Sequence, residues 1–173
     1  GQLGIFSNDH LPGLTHLAST IKKHQSIAIA QLYHGGMRCP KDVIGEQPMS
    51  SYENDKWGAR AMTTIEVDET VACFIGAAKR AEKAGFDGVE LHGAHGYLLA
   101  QFLSPVLNKR TDKYGGSLQA RQKLLFDIID GIRETCDSNF MVGLRLSPER
   151  FGMDLKEILS LSNELMKNNL IEF

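Results

Sequence analysis

Residues 88–97 have the sequence Gly-Val-Glu-Leu-His-Gly-Ala-His-Gly-Tyr, and this stretch decides the predicted fold. Its first four residues form a short apolar run that predicts a buried strand, and His92, His95 and Tyr97 follow where that strand ends. Parallel α/β sheets and barrels gather their chemistry at the carboxyl ends of strands. Imidazoles can donate hydrogen bonds to a substrate oxygen, and a phenol can release a proton. The stretch therefore predicts a site that polarises and protonates a carbonyl compound.

Further apolar runs lie on both sides of this stretch. Ser26–Leu32 and Phe140–Leu146 predict two more buried strands, and Leu170–Phe173 predicts the opening of a fourth. Apolar residues at helical spacing predict helices between the strands. These helices are expected around Leu14–Lys23, from an N-cap at Asp68 to Lys83, from Ser117 onward, and from a capping-box-like start at Asp154 with Glu157. Long loops are expected over 35–64 and 92–116.

Strands and helices alternate strictly along the chain, which predicts an α/β fold with a parallel sheet and helices on its faces. Three or four strands in 173 residues do not close an eight-stranded barrel, which typically takes about 250 residues. The chain is therefore predicted to be either a small open sheet or one incomplete domain of a larger barrel, spanning 1–173. The ending on an apolar strand start favours the incomplete barrel.

Composition excludes several classes of partner. A formal charge of −2 gives no electrostatic argument for nucleic acid, and the apolar stretches are too short to span a bilayer. No basic-then-apolar leader opens the chain, which argues against secretion. Cys39, Cys73 and Cys136 are widely separated and odd in number, which fits reduced thiols. We therefore expect a cytoplasmic protein without nucleic-acid or membrane partners.

Three predicted strands end in polar side chains that are expected to converge on one face. Each of these residues alone favours a structural interpretation, since a single histidine is more often a satisfied structural group and a single arginine more often an ion-pair partner. Their joint placement at successive strand ends favours a site. The residues are Gln31 and His34 after the first strand, His92, His95 and Tyr97 after the second, and Arg145 in the third.

Six ordered motifs resemble the old yellow enzyme family, the FMN-dependent NADH:flavin oxidoreductases and ene-reductases built on a (β/α)8 TIM barrel. The motifs are Gln31–Gly36, Ala84–Glu90, His92–Leu99, Gln101–Pro105, Asn108–Ser117 with Arg121, and Gly143–Pro148. The resemblance implies a partial barrel, roughly strands 3 to 5 with flanking helices. It also implies that the family's first strand precedes Gly1 and that the strands binding the FMN phosphate follow Phe173.

The resemblance assigns roles to matching positions. Gln31 is implied to bind the polar edge of FMN, and Arg145 to stabilise the reduced ring near N1 and the C2 oxygen. His92 and His95 are implied to bind the carbonyl oxygen of an α,β-unsaturated substrate, whose β-carbon then accepts hydride from flavin N5. Tyr97 is implied to deliver the proton to the α-carbon. NADPH or NADH is implied as the reductant.

One loop departs from the family pattern, and another is predicted to be structural. The family usually has arginine in the pattern His-x-Gly-Arg, whereas here Met37 stands at that position and Arg38 follows. The stretch 108–117 is predicted to be structural, with Arg110 paired to Asp112 and a tight turn at its two glycines.

Three functions remain open from the sequence. The leading prediction is a flavin-dependent reductase that is inactive as this fragment alone. The first alternative is a barrel metallohydrolase with His34, His92 and His95 as ligands, although the leading prediction includes no metal. The second is a non-catalytic truncated half-barrel that survives by association. Exposed outer strands favour pairing with another chain, so a homo-oligomer is expected.

Overall fold

The protein is described by a computed structural model that covers residues 2–173. Helices alternate with parallel strands, as the sequence predicts. The elements follow the order α1 (Leu11–Lys22), β1 (Ile29–Leu32), α2 (Lys41–Ile44), β2 (Met49–Ser50), β3 (Arg60–Ala61), α3 (Thr64–Lys83), β4 (Gly88–Gly93), α4 (Leu98–Leu103), α5 (Leu118–Thr135), β5 (Met141–Leu146) and α6 (Leu155–Lys167).

The main sheet has the strand order β1-β4-β5, and all of its pairings are parallel. Alternate residues of each strand face opposite sides of the sheet. On one side, Val89, Leu91 and Val142 are fully buried beneath the helices. On the other side, Glu90 pairs in register with Gln31. This second face carries the polar residues, and the carboxyl ends of all three strands lie at the same edge.

The core lies between β4 and the helices α3 and α5. Phe74 and Ala78 of α3 and Ile128 of α5 are buried there. The two helices approach closely at Gly131, where a β-carbon would collide with the Ile75 side chain. The β4 strand pairs with β1 and β5 on its two sides and packs beneath these helices, which positions the start of the loop that follows it.

The start of α3 differs from the prediction. The predicted N-cap at Asp68 is wrong, because Thr63 caps the helix five residues earlier in a capping box with Glu66. Thr63 Oγ1 accepts from the Glu66 N–H at 3.2 Å, and the Glu66 carboxylate accepts from the Thr63 N–H at 2.8 Å. Asp68 lies inside the helix and accepts a hydrogen bond from Lys113 at 2.9 Å. A threonine three residues before a glutamate is the sequence pattern of a capping box. This pattern predicts the start of α3 better than the single aspartate does.

The predicted start at Asp154 is confirmed, and the helix predicted from Ser117 onward is capped by Ser117 itself. Ser117 accepts from the third backbone N–H of α5, and Asp154 accepts from the Glu157 N–H at 3.1 Å. Glu157 does not complete a capping box, however, because its carboxylate binds Arg121 at 2.6 Å. The helix α6 is therefore joined to α5 by an ion pair.

Both predicted long loops contain secondary structure. The first holds α2 and the two-residue parallel pair β2–β3, and the second holds α4. All six residues of α4 are buried, so its sequence lacks the polar face by which a short helix is recognised. The predicted pairing of Arg110 with Asp112 is confirmed at 2.5 Å. Segment 170–173 begins to pair with β5, since the Glu172 N–H donates to the Val142 carbonyl at 2.9 Å.

Two further properties follow from residues 2–173. None of the helices in this part of the chain is long and apolar enough to cross a membrane. Cys39, Cys73 and Cys136 are all free thiols, as expected.

Candidate active site

The sheet register places a histidine beside an arginine at the carboxyl ends of β4 and β5. His92 is the direct partner of Arg145 across the two strands, so both side chains project from the same face. Burial lowers the pKa of His92 below its ordinary value, and the neighbouring His95 and Arg145 lower it further. The buried Nδ1 of His92 has no hydrogen-bond partner within residues 2–173. His92 is therefore a neutral imidazole whose buried Nδ1 is unpaired within the described residues.

A tight turn after β4 brings a second imidazole and a phenol to the same place. The ring centroid of His92 lies 5.0 Å from that of His95 and 5.1 Å from that of Tyr97. His95 has φ of +58° and Gly96 has φ of +69°, a left-handed pair that reverses the chain. The His95 N–H donates to Ser147 Oγ at 3.1 Å, which fixes the turn to the loop after β5. The structure thus brings together the two histidines and the tyrosine that the sequence predicts.

A second phenol, not predicted from the sequence, completes the ring cluster. Tyr33 lies 5.2 Å from Tyr97 and 6.3 Å from His92 between ring centroids. Burial raises the pKa of Tyr33, and the nearby Tyr97 and Cys39 add to the effect, so its hydroxyl stays protonated. Tyr33 directly follows β1 and stands two residues after Gln31. Residues two apart in an extended segment project to the same side, so this spacing could have predicted that Tyr33 lies near Gln31.

Below the histidine, a carboxylate and an amide face each other. The Gln31 side-chain N–H donates to the Glu90 carboxylate. An ionised carboxylate accepts hydrogen bonds and cannot donate them, so the carbonyl oxygen of Gln31 is left for another group. Glu90 was missed, although its place two residues before His92 puts it on the same side of β4.

Arg145 and His34 differ in whether their side chains form hydrogen bonds within the described residues. The exposed guanidinium of Arg145 forms no hydrogen bond or ion pair with any of residues 2–173. His34 is half-buried, and its Nδ1 accepts from the Gly36 N–H at 3.0 Å. Burial lowers the pKa of His34. Arg145 is thus available to a ligand, whereas His34 shapes its own loop.

The metallohydrolase alternative finds no support in this geometry. His34 is bound to its own loop, whereas His92 and His95 lie together. Across the described chain from Gln2 onward, no group of three or more histidine, cysteine, aspartate or glutamate side chains is arranged to hold a metal ion.

A buried glutamine ties the surrounding loops together and was also missed. Gln101 of α4 has no exposed surface, and its oxygen accepts from the Met37 N–H at 3.2 Å and from Ser50 Oγ at 2.9 Å. Its nitrogen donates to the Gly96 carbonyl at 2.8 Å. One side chain therefore connects the loop after β1, the strand β2 and the turn of the site.

A groove with a volume of about 810 Å³ opens beside this cluster. Its wall includes Gln31, Tyr33 and His34, together with Phe74 of α3. The groove also has charged side chains in its wall, among them Arg60, Glu66 and Arg80, and the paired histidines do not line it.

Comparison with known proteins identifies the family. The model of the NADH:flavin oxidoreductase / NADH oxidase family matches residues 1–172. The chain belongs to this family. Its members include flavoproteins that use FMN with NADH or NADPH, so the family, its cofactor and its reductants are those expected from the sequence motifs.

The relatives and solved structures agree with this assignment. The probable NADH-dependent flavin oxidoreductase YqiG of Bacillus subtilis is 42% identical over 157 residues, 86% of this chain and 42% of the relative. The NADPH dehydrogenase of Halalkalibacterium halodurans is 41% identical over 97% of this chain and 50% of its own length. The crystal structure of Old Yellow Enzyme from Pichia sp. AKU4542 superposes with a TM-score of 0.85 at 29% identity, over 95% of this chain and 49% of the other.

These matches also define how much of the barrel is present. The chain spans about half the length of the curated relatives it matches. A 2-naphthoyl-CoA reductase superposes over 100% of this chain and 29% of its own, with a TM-score of 0.88 at 30% identity. The predicted partial TIM barrel is therefore confirmed.

The residues at the strand ends fit the flavin of the family. One edge of the sheet carries three polar groups that have no partner among residues 2–173: the exposed guanidinium of Arg145, the side-chain oxygen of Gln31 and the buried Nδ1 of His92. Unsatisfied buried polar atoms are uncommon in proteins, and each needs an explanation such as a bound water, an ion or a catalytic role. Arg145 and Gln31 are the residues of this chain suited to the polar edge of FMN.

Proposed function

We propose that this chain forms one side of the active site of an FMN-dependent reductase that transfers hydride from NADPH or NADH to the C=C bond of α,β-unsaturated carbonyl compounds. The observation that carries the proposal is the convergence of His92, His95 and Tyr97 beside Arg145. FMN, when bound, supplies hydride from its N5 atom to the substrate. The remaining chemistry belongs to residues of this chain.

The two imidazoles hold the substrate carbonyl oxygen. A neutral imidazole donates one hydrogen bond, and two such donors stabilise the negative charge that grows on the oxygen during reduction. The lowered pKa of His92 supports this role, because the ring is neutral at pH 7 and binds without the cost of a buried charge.

Tyr97 supplies the proton, and Arg145 with Gln31 binds the flavin. The Tyr97 ring lies next to both imidazoles, at 5.1 Å from His92 and 6.5 Å from His95. A phenol there is placed to protonate the α-carbon of a substrate held by the histidines. The Arg145 charge favours an anionic reduced ring, and the amide of Gln31 recognises its polar edge.

The 173-residue chain is expected to show little turnover alone, since it spans about half of its relatives. A small-molecule enone is the expected substrate and partner, with no role for nucleic acid or a membrane. The three free thiols support a cytoplasmic location, where a reducing environment keeps cysteines unpaired. Localisation of a tagged protein in its own cells checks this expectation.

The test of the proposed function uses the FMN-loaded protein in which this chain is part of a complete barrel, and it separates the two half-reactions. Replacing Tyr97→Phe is expected to slow reoxidation by 2-cyclohexenone about 100-fold, because the proton donor is lost. Reduction by NADPH is expected to keep its rate. Stopped-flow absorbance of the flavin measures both rates.

The matched control is Tyr52→Phe, which removes an exposed phenol outside the ring cluster and is expected to change neither rate. Equal slowing of both half-reactions in Tyr97→Phe would contradict the proton-donor role. Failure of the unaltered FMN-loaded complete barrel to reduce any enone would contradict the proposed function, whereas low turnover of the 173-residue chain alone is expected.

A further inference from the structure

Arg38 is surrounded by three aromatic rings at the edge of the site. Its guanidinium carbon lies 5.2 Å from the ring centroid of Trp57, 5.5 Å from that of Phe151 and 5.9 Å from that of Tyr97. A guanidinium at these distances is attracted to the face of each ring. The side chain is half-buried and begins from the 3₁₀ turn Gly36–Arg38 that follows β1.

The same guanidinium fixes the backbone of the histidine turn. Arg38 Nη1 donates to the His95 carbonyl at 2.6 Å. His95 is a non-glycine residue with φ of +58°, a conformation that persists only where neighbouring contacts hold it. The His95 N–H donates in the opposite direction, to Ser147 Oγ at 3.1 Å. Residue 95 is thus held on both sides by hydrogen bonds from separate loops.

The contacts of Arg38 join segments that are far apart in the sequence. Trp57 belongs to the connection before β3, Tyr97 follows β4, and Phe151 follows β5. Phe151 also packs edge-on against the His95 ring, with 6.4 Å between centroids. A β-carbon at Gly96 would lie 3.0 Å from the Phe151 ring, so the turn accepts glycine there. Arg38 is the cation around which these loops pack.

We propose that Arg38 is a positioning residue that sets the orientation of the His95 imidazole and the Tyr97 phenol. It acts through the His95 carbonyl and the Tyr97 ring face and does not touch the reacting atoms. The catalytic benefit of this placement rests on the proposed reductase function, whereas the placement itself is independent of it. This arginine is displaced by one residue from the His-x-Gly-Arg pattern, and it lies in the turn that begins at Gly36, whose φ is +58°.

The experiment compares Arg38→Met, Arg38→Lys and the matched control Arg150→Met, which removes an exposed arginine of the loop after β5. The first readout is the fluorescence of Trp57, the single tryptophan of the chain. The second is the NMR signal of the His95 and Tyr97 ring protons, assigned with His95→Gln and Tyr97→Phe. Neither readout needs flavin or substrate.

Arg38→Met is expected to shift the Trp57 emission and the His95 and Tyr97 ring signals, while Arg150→Met leaves them in place. Arg38→Lys keeps the charge and a donor but loses the planar face, so an intermediate shift is expected. In the FMN-loaded protein, Arg38→Met is expected to slow enone reduction about 100-fold by misplacing the site, with flavin reduction by NADPH unchanged.

Unchanged ring signals in Arg38→Met would overturn the positioning role. If circular dichroism shows that Arg38→Met does not fold, Arg38→Lys carries the test, and unchanged ring signals in that variant overturn the proposal. Failure of the reductase function is recognised separately, as an unaltered protein that binds FMN but reduces no enone while the ring signals still respond to Arg38→Met.

Discussion

At the residue scale, His92 is controlled by burial and by two neighbours. Burial is the largest cause of its lowered pKa, followed by the His95 and Arg145 charges. A ring that stays neutral donates from one nitrogen and accepts at the other, which suits the binding of a carbonyl oxygen. The same burial leaves its Nδ1 without a partner within residues 2–173. The site thus maintains an unsatisfied group where a ligand is expected.

Replacing Arg145→Leu is expected to raise the pKa of His92, because one of the charges that disfavour the imidazolium is removed. NMR titration of the His92 ring proton measures the change, with Arg150→Leu as the control. A His92 pKa that stays the same or falls would show that the guanidinium does not act on this imidazole.

The lowered pKa also sets a direction for stability. His92 and His34 both take up protons less readily in the folded chain than in the unfolded chain. As pH falls below the ordinary histidine pKa of about 6.5, the unfolded chain is protonated first, so the free energy of unfolding is expected to decrease. Urea unfolding at a series of pH values checks this, and a stability that rises over this window would contradict it.

At the element scale, the strands were easier to predict than the connections. The strands β1, β4 and β5 have short apolar runs because one face of the sheet is buried beneath the helices, and these runs are recognisable in the sequence. The polar residues of the site were predicted because they stand at the ends of these runs. The connections were harder to predict. The helix α4 is buried on all sides, so its sequence has no alternation of polar and apolar residues. The hydrogen bonds of Gln101 join segments that are distant in the sequence, and no short motif predicts such contacts.

The capping box of α3 gives a test at this scale. Thr63→Ala removes the hydroxyl that accepts from the Glu66 N–H and is expected to lower the free energy of unfolding by about 1 kcal/mol. Thr20→Ala, which removes an exposed hydroxyl bonded to a carbonyl within α1, is expected to stay within about 0.5 kcal/mol. Urea denaturation measures both. Equal decreases in the free energy of unfolding of the two variants would show that the Thr63 cap stabilises α3 no more than an ordinary exposed hydroxyl does.

At the scale of the whole molecule, three strands of a barrel expose an edge and an inner face. The β1 strand pairs with β4 on one side, and Ile27 just before it is exposed by 66%. Open strand edges favour pairing with another chain. The sequence motifs predicted which strands of the barrel this chain contains. No local pattern in the sequence predicts which segment covers the open edge of β1.

The homo-oligomer expected from the sequence therefore stays a prediction. Sedimentation equilibrium is expected to show a mass above 19.1 kDa that grows with concentration. Ile27→Lys places a charge beside the edge and is expected to reduce the association, while the control Ile65→Lys, at an equally exposed position on α3, leaves it intact. A monomer at all concentrations would contradict the expectation.

The central claim is that Gln31, His92 and Arg145 face one flavin at the carboxyl ends of β1, β4 and β5. The most direct measurement is NMR of their side chains during titration of the protein with FMN. The account predicts that the Gln31 amide, the His92 ring and the Arg145 guanidinium signals all move and follow one shared dissociation constant. Signals that stay fixed while FMN binds elsewhere, or that follow unrelated binding curves, would contradict it.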